Sequence, residues 1–464
     1  MLRTIGDQPS LWESLLPEEV LRLPEELARV DALLDDPAFF APFAPHFDPV
    51  IGRPSTPVEC YLRLMFLKFR HRLGYESLCA EVSDSISWRR FCRIPLEGKV
   101  PHPTTLMKLT SRCGEEAVAG LNEALWAKAA GAKLLRTARV RADTTVISAN
   151  VAYPTDSGLL AKAVGKLVRT ARRVQAAGGA TATAMTDRRR AAARRVREIA
   201  SKLRTRGKLS REETTQAIAR VTGQLADLAE KAAVQAAAVL RNGRRAAPKA
   251  LSGRVRGRLR RALGELVVTV ERTSAIVAQA RTRMAGRTPD GATRLVSLHD
   301  PDARPIRKGR IDRPVEFGYK AQVTDNDDGI ILDYNVECGA ASDGSQLAPA
   351  IERVRLRAGR VPRAVTADRG YGQPAFERDL HDLGVRTVAI PRQGKISATR
   401  HKIEHNRAFR RLVKWRTGAE GRISYLKRGY GWDRTRLDGK HGAAIWCGHG
   451  VFAHNLVKIG ALAS

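Results

Sequence analysis

The stretch ARVRADTTVISANVAYPTD, Ala138 to Asp156, decides how the chain is read. Its first half alternates with period two. Val140, Ala142, Thr144 and Val146 fall on one side, and Arg139, Arg141 and Asp143 on the other, as in a β-strand. A carboxylate is a poor strand former and is costly to bury without a partner. Asp143 closes one apolar run, and Asp368 closes another, VTAD, ahead of the glycine turn RGYG. Two carboxylates on adjacent strands repel unless a cation lies between them. Hard divalent cations such as Mg2+ take oxygen ligands.

A third acid lies in KWRTGAEGRISYLKRGYG, Lys414 to Gly431. Helical spacing puts Arg416, Glu420, Ser424 and Lys427 on one face, with Trp415, Ala419 and Leu426 opposite. Taken alone, one acid between two long bases reads most simply as a surface ion-pair ladder.

Outward from these acids, the chain of 464 residues is long enough for two or three domains. It carries 81 Lys and Arg against 48 Asp and Glu, a net charge of +33, which favours a polyanionic partner, most commonly nucleic acid. The six cysteines form no CxxC pair, arguing against a zinc ribbon or disulfide frame and for a reducing compartment. No apolar run is long enough for a spanning helix, and the N-terminus lacks a secretory pattern. A cytoplasmic protein without a membrane partner is expected.

Residues 1–130 read as an all-helical domain. In RPSTPVECYLRLMFLKFRHRLGY, Thr56 is expected to cap a helix, with Pro57 in its first turn and Glu59 completing a capping box. Leu62, Met65, Phe66 and Phe69 form its apolar stripe, and Gly74 its stop. Two short helices, YESLCAEVSDS and SWRRFCRI, precede another starting at Thr104 or Thr105. Short helices with tight turns resemble a helix-turn-helix module.

Residues 157–290 form a basic helical insertion, with breaks expected near Gly178–Gly179, Gly207, Pro248–Gly253 and Gly286. A capping box joins Ser210 to Glu213, and a seam runs through Ile218, Val221, Leu225 and Leu228. It holds 31 Lys and Arg and 9 Asp and Glu, so 22 of the 33 net charges, the footprint of phosphate contact. From 291 onward, strands and helices alternate. PVEFGYKAQVTD and GIILDYNVECG form a hairpin across the turn-forming DNDDG, SQLAPAIERVRLRAG is helical, and the end of the chain from about 404 is helical.

Other acids and histidines compete for attention. His401, Glu404 and His405 spell H-x-x-E-H, a zinc-peptidase spacing, but in a basic setting without a further ligand. Asp156 is expected to cap the next helix, and Asp300, Asp302 and Asp333 to be structural.

The segments RADTTVISANVAYPTDSGLL, KGRIDRPVEFGYKAQVT, VTADRGYG and RTGAEGRISYLKRGYGWDRTRLDG together resemble the DDE transposases of bacterial insertion sequences, in the branch of the "IS five" and "IS four" groups. The resemblance covers most of the chain outside 157–290. It implies an α/β fold: a ribonuclease-H-like mixed sheet with flanking helices at 131–156 and 291–464, preceded by the DNA-binding all-α domain and interrupted by the insertion. It implies that Asp143, Asp368 and Glu420 hold two Mg2+ ions, with Mn2+ able to substitute. The family's R-x3-E-x6-K pattern is matched by Arg416, Glu420 and Lys427, while Val413 stands where its tyrosine is usual. Arg416, Lys427, Arg139, Arg141 and Arg369 are then the candidate DNA contacts. The implied activity is cleavage of strands at terminal inverted repeats and joining of the 3′-hydroxyl ends to target DNA. The implied partners are double-stranded DNA, at transposon ends and target, and a second copy on that DNA; the implied location is the nucleoid. A nuclease of the same fold without strand transfer, or a catalytically inactive DNA-binding protein, are the alternatives.

Overall fold

A computed structural model describes residues 1–5, 15–204, 210–246, 252–307, 314–339 and 342–463. The expected breaks at Gly207 and Pro248 lie outside the described residues. The chain divides into two compact units, 1–150 with 318–464, and 151–317.

The first unit begins with α1 (Glu18–Leu21), α2 (Glu25–Leu34), α3 (Val58–Arg70), α4 (Tyr75–Asp84), α5 (Ile86–Phe91) and α6 (Pro103–Gly131), followed by β1 (Arg139–Ser148). α3 starts two residues after Thr56, its N-cap is Pro57 without a side-chain cap bond, and it ends at Arg70 rather than near Gly74. It is buried all round instead of along one stripe, Val58 to Phe69 included. Arg63 is tolerated there because Asp31 and Asp35 both accept from its guanidinium at 2.6 Å. α6 likewise starts at Pro103, with the His102 ring in place of a threonine as cap.

The second unit holds α7 (Asp156–Ala176), α8 (Arg189–Arg204), α9 (Arg211–Ala246), α10 (Gly253–Met284) and β2 (Arg304–Arg307). α7, α9 and α10 pack on one another and α8 on α7 and α9. Ala226, Ala229, Ala232, Ala233 and Ala236 of α9 are buried, so small side chains let the helices approach closely while the arginines project outward. Thr155 rather than Asp156 caps α7; Asp156 instead accepts from Arg283 at 3.0 Å. The Ser210–Glu213 capping box is present in both directions, at 2.9 and 3.1 Å. Ser210→Ala is expected to lower the stability of this unit by about 1 kcal/mol, measured by thermal unfolding of the full chain.

Back in the first unit follow β3 (Val315–Asp325, which starts in the second), β4 (Ile331–Cys338), α11 (Leu347–Ala358), β5 (Ala364–Thr366), α12 (Pro374–Asp382), β6 (Thr387–Ala389), α13 (Ala398–His405), α14 (Arg407–Arg416), α15 (Gly418–Gly429) and α16 (Gly439–Ala463). The strand order here is β4-β3-β1-β5-β6. β1 pairs antiparallel with β3 and parallel with β5; β3–β4 is antiparallel and β5–β6 parallel. The chain is thus a mixed α/β protein. β1 does not end at Asp143 but runs to Ser148, because β3 pairs with it from Arg141 to Ser148. It is buried on both faces, since Val140 and Ala142 on one side and Arg141 and Asp143 on the other are all covered.

The N-terminal helices belong to the same compact unit as the sheet. α16 is the reason. Buried from Gly442 to Leu456, it packs on α2, α3, α6 and β4. Asn455 brackets the Ile331 backbone, accepting from its N–H and donating to its carbonyl, while Trp126 of α6 donates to that same carbonyl at 2.7 Å. Among the described residues, no helix is long and apolar enough to cross a membrane.

Candidate functional site

Asp143 sits at the middle of β1, opposite Val323 of β3. Its Oδ1 accepts the Thr144 N–H at 2.8 Å, and its Oδ2 lies 3.8 Å from Arg416. The residue is 9% exposed. Burial pushes its pKa up to about 6; the Thr144 bond opposes this, the Asp368 carboxylate adds to it, Arg416 opposes it, and Glu420 adds to it. Both other acids therefore act on Asp143 through space.

Asp368 follows β5 by two residues and caps the turn after it, accepting the Gly370 N–H at 2.6 Å. The glycine leaves room for this carboxylate: a Cβ on Gly370 would lie 2.8 Å from Asp368 Oδ1 and push it aside. Tyr371 anchors the same turn. Its hydroxyl bonds Thr144 Oγ1 of β1 and accepts from Gln322 Nε2 of β3 at 3.1 Å. That tie across three elements sets where Asp368 stands.

Glu420 is in the first turn of α15, its side chain 70% exposed. Arg416 reaches it at 3.5 Å, so one guanidinium touches both Glu420 and Asp143. The expected single helix through Arg416, Glu420 and Lys427 is broken: Arg416 ends α14, and Glu420 and Lys427 lie on α15. Arg141 makes the break. It donates to the Trp415 carbonyl at 2.9 Å and stacks on the Trp415 ring, and any Cβ on Gly418 would collide with its guanidinium.

Of the expected DNA contacts, Arg369 is exposed beside Asp368 and donates to the Arg392 carbonyl. Arg139 is 40% exposed, lies over Trp415 and pairs with Asp327. Arg141 differs from the expectation. It is buried, 8% exposed at the side chain, and gives two bonds to the 2% exposed Asp325, at 2.7 and 2.9 Å; desolvation of the pair keeps it from meeting a phosphate. Lys427 donates to the Val146 carbonyl at 2.9 Å and so fastens α15 to β1.

Asp325, Tyr371 and Gln322 were missed as site residues. DNDDG reads as a turn, yet its first acid is the buried anchor of both Arg141 and Arg422. The tyrosine of DRGYG was the one available signal for Tyr371.

The donor chemistry fits a divalent cation: two hard oxygen donors, Asp368 and Glu420, act on a third, Asp143, and one guanidinium lies between Asp143 and Glu420. Among the described residues, no three Asp, Glu, His or Cys are grouped to hold a metal. The H-x-x-E-H site is occupied by protein: Glu404 accepts from the Arg392 N–H and from Arg400, and the His401 and His405 rings stack at 3.9 Å.

A raised carboxyl pKa means the folded state holds a proton that the unfolded state has released between pH 4 and 6. Stability contributed by that proton is full below about pH 4 and lost as pH rises through about 6. Asp143→Asn is therefore expected to stabilise the metal-free protein at pH 7 by about 2–3 kcal/mol and to flatten the decline between pH 4 and 6. Urea unfolding across that range checks it.

Residues 15–112 match the family described as "Transposase domain (DUF772)", and residues 295–456 match "Transposase DDE domain". Asp143 lies between the two matched segments; Asp368 and Glu420 lie within the second. The uncharacterized protein ORF8 in nfe locus of Rhizobium meliloti is 31% identical over 157 residues, which cover 32% of this chain and 74% of that protein. No solved structure gives a significant match.

Proposed function

The chain belongs to the DDE transposases of insertion sequences, and on that premise we propose that Asp143, Asp368 and Glu420 form a catalytic centre that cuts DNA at terminal inverted repeats and joins the 3′-hydroxyl ends to target DNA. The observation that carries this is the convergence of the other two acids on Asp143. They come from positions remote in the chain, yet Asp368 and Glu420 both raise the pKa of Asp143, and Arg416 touches two of the three. The strand order supports it as well: a first strand flanked by an antiparallel and a parallel neighbour, with the second acid following the parallel one, suits a ribonuclease-H-like core.

Held by these carboxylates, a pair of divalent ions, Mg2+ or Mn2+, would activate the attacking water or 3′-hydroxyl and stabilise the leaving oxygen. Asp143 must be ionised to serve as a ligand, so protons compete with the cation for its raised carboxyl and metal affinity weakens as pH falls. Arg416 holds Asp143 and Glu420 toward one space until they are engaged. Arg139 and Arg369 are the exposed cations placed to take phosphates. Arg141 and Lys427 act through others, by fixing α14 and α15 on β1.

Within the second unit, Lys162, Lys166 and Arg169 of α7 line a cavity of about 180 Å3 together with Tyr153 and His299. We assign this row to DNA backbone contact by the basic insertion. Replacing all three cations with glutamine is expected to reduce the slope of log affinity against log salt by about 2–3, as each phosphate contact contributes about 0.9. An unchanged slope would leave the insertion as a spacer.

Pairing of two transposon ends requires at least two copies on the DNA. The test of the function is incubation of the full chain with Mg2+, a pre-cut terminal-repeat duplex bearing a 3′-hydroxyl, and a target plasmid. Joined products support the transposase reading. Nicking without joining means a nuclease, and neither means a DNA-binding protein alone.

A further inference from the structure

A cleft of about 380 Å3 opens in the first unit between α3, α4 and the loop ahead of α16. At its floor is Lys68, on α3, with the residue 3% exposed. The ammonium nitrogen lies 4.6 Å from the ring centroid of Phe69, 4.8 Å from that of Tyr75 and 4.2 Å from that of Trp446. Among the described residues, its side chain has no carboxylate partner and no hydrogen bond. Aromatic faces stabilise a desolvated cation, but by less than burying an unpaired charge costs. A methionine of similar length would pack in the same place without that cost. The ammonium is thus a donor site open to an anion that the described residues do not supply.

The rim adds positive charge. Arg434 and Arg436 are exposed on the loop; Arg72 is paired with Asp433 at 3.1 Å. A pocket of this size lies in the range of small-ligand sites, about 300–1,000 Å3, and is too small for a duplex. Phe69, Tyr75 and Trp446 put three aromatic rings in its lining, which suits a base or sugar beside the anion.

We propose that this cleft binds one nucleotide through its phosphate, with Lys68 receiving the phosphate at the floor and Arg434 and Arg436 closing on it from the rim. The nucleotide is either free or a single unit of a DNA strand, since both present the same chemistry. Burial, and secondarily Arg436, push the Lys68 pKa down to about 7, so the amine is poised to take up a proton when an anion arrives. The Tyr75 hydroxyl, on a ring that faces it, is pushed up by burial and stays neutral. Glu76 on α4 is exposed, Asp433 is held by Arg72, and His449 on α16 is pushed down to about 3 by burial and by Lys68, so it stays neutral. Binding above pH 7 is accordingly coupled to proton uptake, and affinity rises as pH falls from 9 toward 7.

None of the three acids of the proposed catalytic centre lines this cleft, so either assignment can fail without the other. The test is calorimetric titration of the full chain at pH 8, in two buffers of different ionisation enthalpy, with inorganic phosphate, 5′-dAMP and a short single-stranded oligonucleotide as separate probes. The expected result is binding of a nucleotide probe with net proton uptake. Lys68→Met should weaken it at least tenfold, and Arg436→Gln, an exposed change that leaves the core intact, should weaken it several-fold. Binding of 5′-dAMP points to a free nucleotide; binding of the oligonucleotide alone points to a DNA strand. Failure of both nucleotide probes to bind, including binding of inorganic phosphate alone, or unchanged affinity in the two variants, overturns the proposal.

Discussion

Replacing Asp143, Asp368 or Glu420 with alanine is expected to reduce Mg2+-dependent nicking of terminal-repeat DNA by about 10^3-fold or more, while DNA binding is retained. The magnitude follows from the several kcal/mol of charge stabilisation that metal ligation supplies at a reacting phosphate, at 1.36 kcal/mol per factor of ten. Asp143→Asn and Glu420→Gln separate ligation from folding, because each keeps the side-chain shape and removes the charge. The acids should also behave as a unit, the double variants losing little beyond the singles. Nicking within tenfold of the unaltered chain in any one of them would remove that residue from the proposed centre.

The second large effect belongs to Arg141. Its guanidinium bonds both oxygens of Asp325 and the Trp415 carbonyl from a buried position. Arg141→Met would leave Asp325, 2% exposed, with Arg422 at 3.1 Å as its remaining side-chain partner among the described residues. Breaking a buried pair by removing one member costs about 3–5 kcal/mol, and Arg422 brings the expected loss to about 3 kcal/mol. The change should also release the junction of α14 and α15 that Arg141 holds through Trp415, lowering nicking. By contrast Arg416→Gln, whose ion pairs are 3.5 and 3.8 Å long, should change stability by less than about 1 kcal/mol and act on nicking instead. Urea unfolding and the nicking assay on the same preparations distinguish the two arginines.

These two arginines also mark how far the residues alone can be read. Period-two alternation exposed β1, and the turn residues of DNDDG exposed the β3–β4 hairpin, because both signals are local. The Ser210–Glu213 box was legible for the same reason. α6 began elsewhere than the threonines suggested, since an imidazole can accept the same N–H and Pro103 suits the first turn. The partition of the arginines was not legible at all. Arg141 and Asp325 are 184 residues apart, and only the antiparallel register of β1 on β3 makes them neighbours. The same holds for the helix break after Arg416, which is imposed by a strand residue, and for Lys68, whose ring partner Trp446 comes from α16. Within the candidate site, the residue types and the glycine turn were readable. The separation of the acids, the exposure of Glu420 and the tie through Tyr371 depend on contacts across the sheet.

The most direct measurement is an anomalous-scattering map of crystals of the full chain loaded with Mn2+ and a terminal-repeat duplex. Manganese peaks ligated by Asp143 and Asp368, with Glu420 turned in to complete the set, are the predicted result. Peaks held by other residues, or manganese at Asp143 without Asp368 and Glu420, would contradict it.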